Sequence, residues 1–522
     1  MGKIPKQEVN TTLMDTITVT FPQVKINLSI NDISFNTLEN MVFDITQRIG
    51  RKVLEKALRD IDDKLRNERP KGELINTGKR QKYFLTRLGD IRYKRTRYID
   101  KTTGKSRYLL EEKLGIKINQ RISLMRAKIE MFIASVTTYR LAKENTELLT
   151  GYKRSHEAIR QSVIKEAERI IAHERYSIEK TKNLKDEESN SENPGGIAHM
   201  EADSAFIRFQ RRRKRKGRVY KLKTTRPRRR RRRSIEIKLG IGYTDKVKRY
   251  KNGRGKALKL KDKFTYTAIE SGKTFMENLS LIAERKLSLS KAKAVIFGGD
   301  GGAYIQAGIK DYFTGAIYVL CKFHLKRNIK RALSLKPGMQ LKLNNLINSD
   351  KLDAALSTLN RIIGQTKNTK KRKAIKDLRA YIEQNKKGIN PIRHIEDKSL
   401  RERIKGTGAM ESNVDKFIAH RFKKRGMSWS VKGALGLLKV KETIANGEWD
   451  LWWSDKRDEK IEINTEPLKQ LTAKNFWKKN ERNVPHLVEA TIPALEGPDQ
   501  SEPWARVLKQ LQSIDYYKQK TG

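Results

Sequence analysis

The sequence predicts an α/β protein with a mixed sheet, flanked by helical regions, and three observations carry that expectation. The first is the stretch Ala294 to Leu333. It reads as a buried strand, a glycine-flanked acid (Asp300), a short helix, a second buried strand (Ala316 to Leu320) and then Cys321-Lys322-Phe323-His324 opening a basic helix. In open α/β sheets functional groups gather beyond the carboxyl ends of strands, and an acid between glycines can approach a metal or phosphate with no Cβ in the way. The second is the order ahead of it: a strand opening at about Ile197, a second from Ile235 to Tyr243, a third from Phe264 to Ile269, and a helix from Thr274 to Lys286. The third is helical periodicity on both flanks, over Phe35 to Arg66 and from His324 to about Ile404.

Composition narrows the partner. The 522 residues carry 115 Lys and Arg against 60 Asp and Glu, a net charge of +55. A surplus that large in a chain with regular apolar periodicity points to a polyanion held through its phosphates, DNA or RNA. No apolar run approaches the roughly 18 residues of a spanning helix, so no membrane is expected. The opening MGKIPKQEVN has no apolar signal region. The single cysteine, Cys321, excludes an internal disulfide framework, and a cytoplasmic, nucleoid-associated location is expected.

In chain order, residues 1–87 read as an N-terminal helical region. Residues 88–179 read as a DNA-binding region with a basic β-hairpin, from Leu88 to Leu114 with a turn at Lys101 to Gly104, followed by a helix-turn-helix. In that unit Leu141, Leu148 and Leu149 mark one helix, Gly151 breaks it, and Ser155 caps the next. Ile159, Val163 and Ile164 face inward there, and His156, Arg160 and Lys165 outward. The polar, apolar-poor stretch 180–196 is a linker. A catalytic domain follows over 197–447, with an all-α insertion at about 325–404, and a Trp-containing region over 448–522. Glu201 and Asp203, two apart, share one face of the first strand. Between Arg211 and Arg233, 16 of 23 residues are Lys or Arg and none is acidic. Arg211, Arg212, Arg213, Arg215 and the run Arg228, Arg229, Arg230, Arg231, Arg232 and Arg233 are the expected phosphate contacts of this arm, with Arg160 and Lys165 beside them. The six tryptophans fall between Trp429 and Trp504 and read as a packed core.

Three acids stand out at 97 and 111 residues apart: Asp203 inside an apolar strand, Asp300 at a strand end, and Glu411 in the first turn of a helix after the insertion. Each has an ordinary structural use as well, an ion pair for Asp203, a turn for Asp300 and a helix cap for Glu411. Converged, they could hold two Mg²⁺ (or Mn²⁺) ions for phosphoryl transfer, since hard oxygen ligands suit those ions. Cys321 and His324 alone lack the ligands of a zinc site.

The pieces Glu201-Ala202-Asp203, Gly299-Asp300-Gly301, Cys321-x-x-His324, Gly408-Ala409-Met410-Glu411-x-Asn413-Val414-Asp415 and Arg425-Gly426-Met427-Ser428-Trp429-Ser430 resemble the ISLre family of insertion-sequence transposases, within the Mutator-like DDE group. Ser204, Gly302, Tyr304 and Cys321 stand where that family commonly has Gly, Ala, Trp and Asp; none is an acid of the triad. The resemblance implies a ribonuclease H-like catalytic domain. It implies that Asp203, Asp300 and Glu411 are a Mg²⁺-binding catalytic triad and that His324 orients the site or touches substrate. It also implies cleavage and strand transfer at the ends of a mobile element by a homodimer or higher homo-oligomer. The alternatives are a non-catalytic DNA-binding derivative and a metal-dependent nuclease without strand transfer.

Overall fold

The computed structural model describes residues 34–70, 72–183, 196–210, 234–248, 258–334, 336–404 and 406–454. The basic arm, most of the expected linker, and Trp477 and Trp504 lie outside the described residues. The Ser34 hydroxyl accepts from the Thr37 N–H and starts α1 (Phe35–Glu68) where the amphipathic pattern starts. The stripe of Leu54, Leu58, Ile61 and Leu65 packs on Phe84, Ile91 and Tyr93. Those residues belong to a three-stranded antiparallel sheet of β1 (Leu74–Thr86), β2 (Gly89–Asp100) and β3 (Ser106–Arg107), closed by α2 (Leu109–Lys113).

Here the sequence reading needs correction. The turn at Lys101 to Gly104 exists but joins β2 to the two-residue β3. The main hairpin pairs β2 with β1, which lies wholly before residue 88. The polar run Lys79-Arg80-Gln81-Lys82 hid that strand. Lys82 is buried all the same, ion-paired with Glu111, which also takes Arg95.

Helices α3 (Leu124–Val136), α4 (Tyr139–Thr150) and α5 (His156–Asn183) follow. Gly151 ends α4 in the left-handed region at φ 69°, and Ser155 accepts from the Ala158 N–H at the head of α5, as expected. Leu141, Leu148 and Leu149 all fall in α4, Leu148 and Leu149 being 82% and 57% exposed, and Ile159 and Val163 are buried. The expected linker is also shorter, since α5 continues to Asn183.

The central sheet is built from β4 (Ile197–Arg208), β5 (Ser234–Tyr243) and β8 (Phe264–Ala268), with β5 antiparallel to both of its neighbours, and β9 (Ala294–Gly299) and β10 (Ile317–Leu320) parallel to β4. Its order is β10-β9-β4-β5-β8, a mixed sheet with the acid-bearing strand at its centre. A small ribbon, β6 (Asp245–Lys248) and β7 (Leu258–Lys261), stands beside it. The helices α6 (Gly272–Leu287) and α7 (Ala303–Tyr312) cover one face through Phe275, Met276, Leu279 and Ile305 against Met200, Ala202 and Phe297.

After β10 the chain forms the expected helical insertion: α8 (Lys322–Ala332), α9 (Pro337–Asn348), α10 (Leu352–Gln365), α11 (Thr369–Gln384) and α12 (Lys398–Arg403), with its own core around Leu325, Ile329, Leu359 and Ile382. Then α13 (Met410–Val414) runs straight into a π-helix, Asp415–Lys423, followed by α14 (Val431–Ala445) and α15 (Trp449–Trp452). Trp429, Trp449 and Trp453 are buried, so three of the six tryptophans are core. The fully buried Lys439 ties α14 to α5 by donating to Glu174 at 2.7 Å, and it also meets Glu442 at 3.1 Å. Glu442 in turn accepts from the Thr267 N–H of β8 at 2.7 Å. No described helix is long and apolar enough to cross a membrane.

Candidate active site

The parallel pairing of β9 and β10 with β4 puts the carboxyl ends of β9 and β10 on one edge, beside the middle of β4. Asp203 projects from β4 there, with 8% of its surface exposed. Asp300 follows β9 directly. Its Oδ1 accepts from the Gly302 N–H at 2.9 Å, and Gly301 between them adopts φ +87°, where a side chain would be strained. The glycine after Asp300 is thus required by the turn that aims the acid.

His324 enters from the first turn of α8 and is 7% exposed. Its Nε2 lies 3.9 Å from Asp203 Oδ2 and its Nδ1 lies 3.5 Å from Glu411 Oε1. Ligand atoms of Asp203, Asp300 and His324 all fall within 4.8 Å of one another, and so do those of Cys321, His324 and Glu411. The structure therefore gathers all three sequence-identified acids into one cleft, with His324 between them rather than behind them. Cys321 is drawn in too: its thiol donates to Glu411 Oε1 at 2.6 Å, so Glu411 supplies the Cys-His pair with a third neighbour that spacing alone did not offer.

The electrostatics are those of a crowded anionic cleft. Burial, and then the neighbouring Asp300, push the Asp203 carboxyl up to about 6, partly offset by His324. Glu411 feels burial too, but the adjacent His324 ring and the hydrogen bond from the Cys321 thiol outweigh it and hold its carboxyl below the usual range. Burial and the Glu411 carboxylate push the Cys321 thiol up to about 12, so it is protonated at neutral pH. Two acids forced together with too little positive charge beside them form an oxygen-rich set that a divalent cation would relieve, and the donor chemistry fits Mg²⁺ or Mn²⁺.

Glu201 has a positioning role that its place in the sequence did not announce. Glu201 shares a strand face with Asp203, as expected, but it is only 2% exposed. Its carboxylate accepts from the Tyr243 hydroxyl at 2.8 Å, from the Gly408 N–H at 3.1 Å, from the Ala409 N–H at 3.2 Å and from the Met410 N–H at 2.9 Å. Those three amides are the free donors at the head of α13, so Glu201 fixes the helix whose next residue is Glu411. Gly408 holds φ +118° to present them. The only signal in the sequence was an acid inside an apolar strand; its partners are backbone amides more than 200 residues away, which no side-chain pattern announces.

The expected DNA contacts are divided. Arg160 and Lys165 sit on α5, Lys165 exposed and Arg160 half-buried and held by Glu157 at 2.6 Å. The arm from Arg211 to Arg233 lies outside the described residues.

A family profile described as "Uncharacterised protein family (UPF0236)" matches residues 28–457. A UPF0236 protein of Caldanaerobacter subterraneus subsp. tengcongensis, whose name carries eleven locus designations, is 22% identical over 418 residues, spanning 80% of this chain and 79% of the relative. Another from the same strain, carrying four designations, is 22% identical over 405 residues, spanning 77% of this chain and 76% of the relative. A Streptococcus gallolyticus relative, named "UPF0236 protein in vanSb 3'region", is 22% identical over 433 residues, spanning 81% and 84%. The matched span includes the helical region, the sheet and every residue of the cleft, and the chain belongs to the UPF0236 family.

Proposed function

We propose that this protein is a DDE transposase that cuts and rejoins DNA at the ends of the element encoding it. The observation that carries the reading is the meeting of Asp203, Asp300 and Glu411 around His324 in one cleft. The sheet order supports it: three antiparallel strands followed by two parallel ones, with acids on the first and fourth and a third acid on a later helix, is the arrangement expected of a ribonuclease H-like domain. The net charge of +55 supports a polyanionic substrate. Eleven locus designations for one relative in one strain are what repeated copying of a mobile sequence would leave.

Asp203, Asp300 and Glu411 would hold two Mg²⁺ or Mn²⁺ ions. Bound there, the ions supply the charge that activates an attacking oxygen and steadies the leaving one in phosphoryl transfer. The chain's own contribution is placement. Glu201 fixes the helix of Glu411, the Gly301 turn aims Asp300, and His324 touches two of the acids and holds their spacing. Lys165 and the basic arm contact phosphates, Arg160 being held by Glu157, and joining two ends at once calls for a homodimer or higher oligomer. The test is incubation of the purified protein with duplex carrying both ends of its element, a target plasmid and Mg²⁺. Joined products support transposition; cleavage without joining would make it a nuclease; binding without either would make it a non-catalytic DNA-binding protein.

A further inference from the structure

The three-stranded sheet of the N-terminal region has two faces of opposite character. The inner face carries Phe84, Ile91 and Tyr93 onto α1 and α2. Most acids of this region are engaged on that side, and Asp90, half-buried, stands two residues before Arg92 at the end of the other face. Glu111 is buried between Lys82 and Arg95. Asp62 of α1 accepts from the Thr96 N–H at 3.1 Å and from its hydroxyl at 2.7 Å, and Glu55 accepts from the Arg92 N–H at 2.8 Å. Strand alternation then leaves Gln81 and Tyr83 of β1 opposite Lys94 and Arg92 of β2 on the outer face. All four are exposed, Tyr83 by 53%. The Arg92 guanidinium lies 5.1 Å from the centre of the Tyr83 ring, which orders it without neutralising it.

We propose that this outer face of β1 and β2 reads the major groove of double-stranded DNA. The inference rests on the DNA-joining function proposed above and identifies the surface that recognises sequence. A two-stranded ribbon fits the major groove, and the groove demands donors and acceptors on one face at two-residue spacing. Gln81 offers the paired donor and acceptor that suit adenine, Arg92 and Lys94 offer the donors that suit guanine, and the Tyr83 hydroxyl can reach the backbone. Support comes from behind: α1 packs on the inner face and Glu111 pairs with Lys82 there, so the four side chains are presented from a backed surface. The alternative for an exposed cationic sheet, an acidic protein partner, gives no reason for Gln81 and the aromatic ring to share the face with the charges. The helix-turn-helix reading placed recognition on α5, where Arg160 is spent on Glu157.

The test is in vitro selection from a random-sequence 30-base-pair duplex library by the full-length protein in EDTA, so that cleavage does not intervene. The wild type is compared with Gln81→Ala/Arg92→Ala. Because the outer face is solvent-exposed, the double variant keeps the wild-type melting temperature, and Tyr83→Phe serves as a milder second variant. The expected result is that the wild type enriches a motif, and that the double variant binds the enriched duplex at least about ten-fold more weakly and enriches a different motif or none. Separately, Lys370→Ala/Lys371→Ala on α11 should leave the selected motif unchanged. Enrichment of the same motif by wild type and double variant would overturn the inference while leaving the cleavage test standing. So would a wild type that enriches no motif, or one that binds acidic polypeptide in preference to duplex. Loss of joining with the motif retained would instead count against the proposed function alone.

Discussion

Two kinds of buried charged region in this molecule follow opposite rules. In the N-terminal sheet Glu111 is buried with Lys82 and Arg95, and between α5 and α14 Lys439 is buried with Glu174 and Glu442. There, opposite charges face one another inside the fold. At the edge of the central sheet Asp203, Asp300 and Glu411 meet around one histidine, and the Asp203 carboxyl is driven up to about 6 by burial and by Asp300. Burying charge is costly unless it is paired, so a matched network is what stability alone selects. A mismatched one persists where something brought from outside completes it. Under the proposed function, the contrast separates acids that hold the fold from acids that would bind a cation.

The contrast can be broken or sharpened by substitution, and the largest effect on stability belongs to the matched region. Glu111→Gln leaves Lys82 and Arg95 buried without their acid and should cost about 3–5 kcal/mol of stability, read by chemical denaturation. If that variant were as stable as wild type, the pairing would not be holding the sheet. Glu201→Gln should cost less, about 1–3 kcal/mol, because an amide cannot accept from the Tyr243 hydroxyl and three backbone amides at once. Its DNA cleavage should fall more than its stability does, since Glu411 rides on the helix it fixes. Tyr243→Phe removes one of those donors and should cost about 1 kcal/mol with cleavage nearly unchanged. Asp203→Asn should cost no stability in metal-free buffer, because it removes one of two crowding carboxylates; a melting temperature clearly below wild type would place Asp203 among the structural acids instead.

Much of this was legible in the sequence, for physical reasons that particular residues make plain. The helix starting at Phe35 announced itself by periodicity, and the Asp300 unit by apolar runs closed with glycine. The three acids were found because charge inside apolar strands or beside glycine is unusual, and all three reach the cleft. Strand β1 was missed because Lys82 breaks the apolar alternation and is buried only by virtue of Glu111, a partner nearly thirty residues on. Leu141, Leu148 and Leu149 marked α4 correctly, although Leu148 and Leu149 themselves face solvent. The role of Glu201 could not be read because most of its partners are backbone amides far along the chain, and no residue type announced the π-helix at Asp415–Lys423.

The central claim is that the mismatched acids form a catalytic cleft, and the most direct measurement is Mg²⁺-dependent cleavage of element-end duplex by wild type beside Asp300→Asn, both folded by circular dichroism. Asp300→Asn should bind the duplex as wild type does and cleave it at least about a thousand-fold more slowly. Equal cleavage by the two proteins would contradict the account.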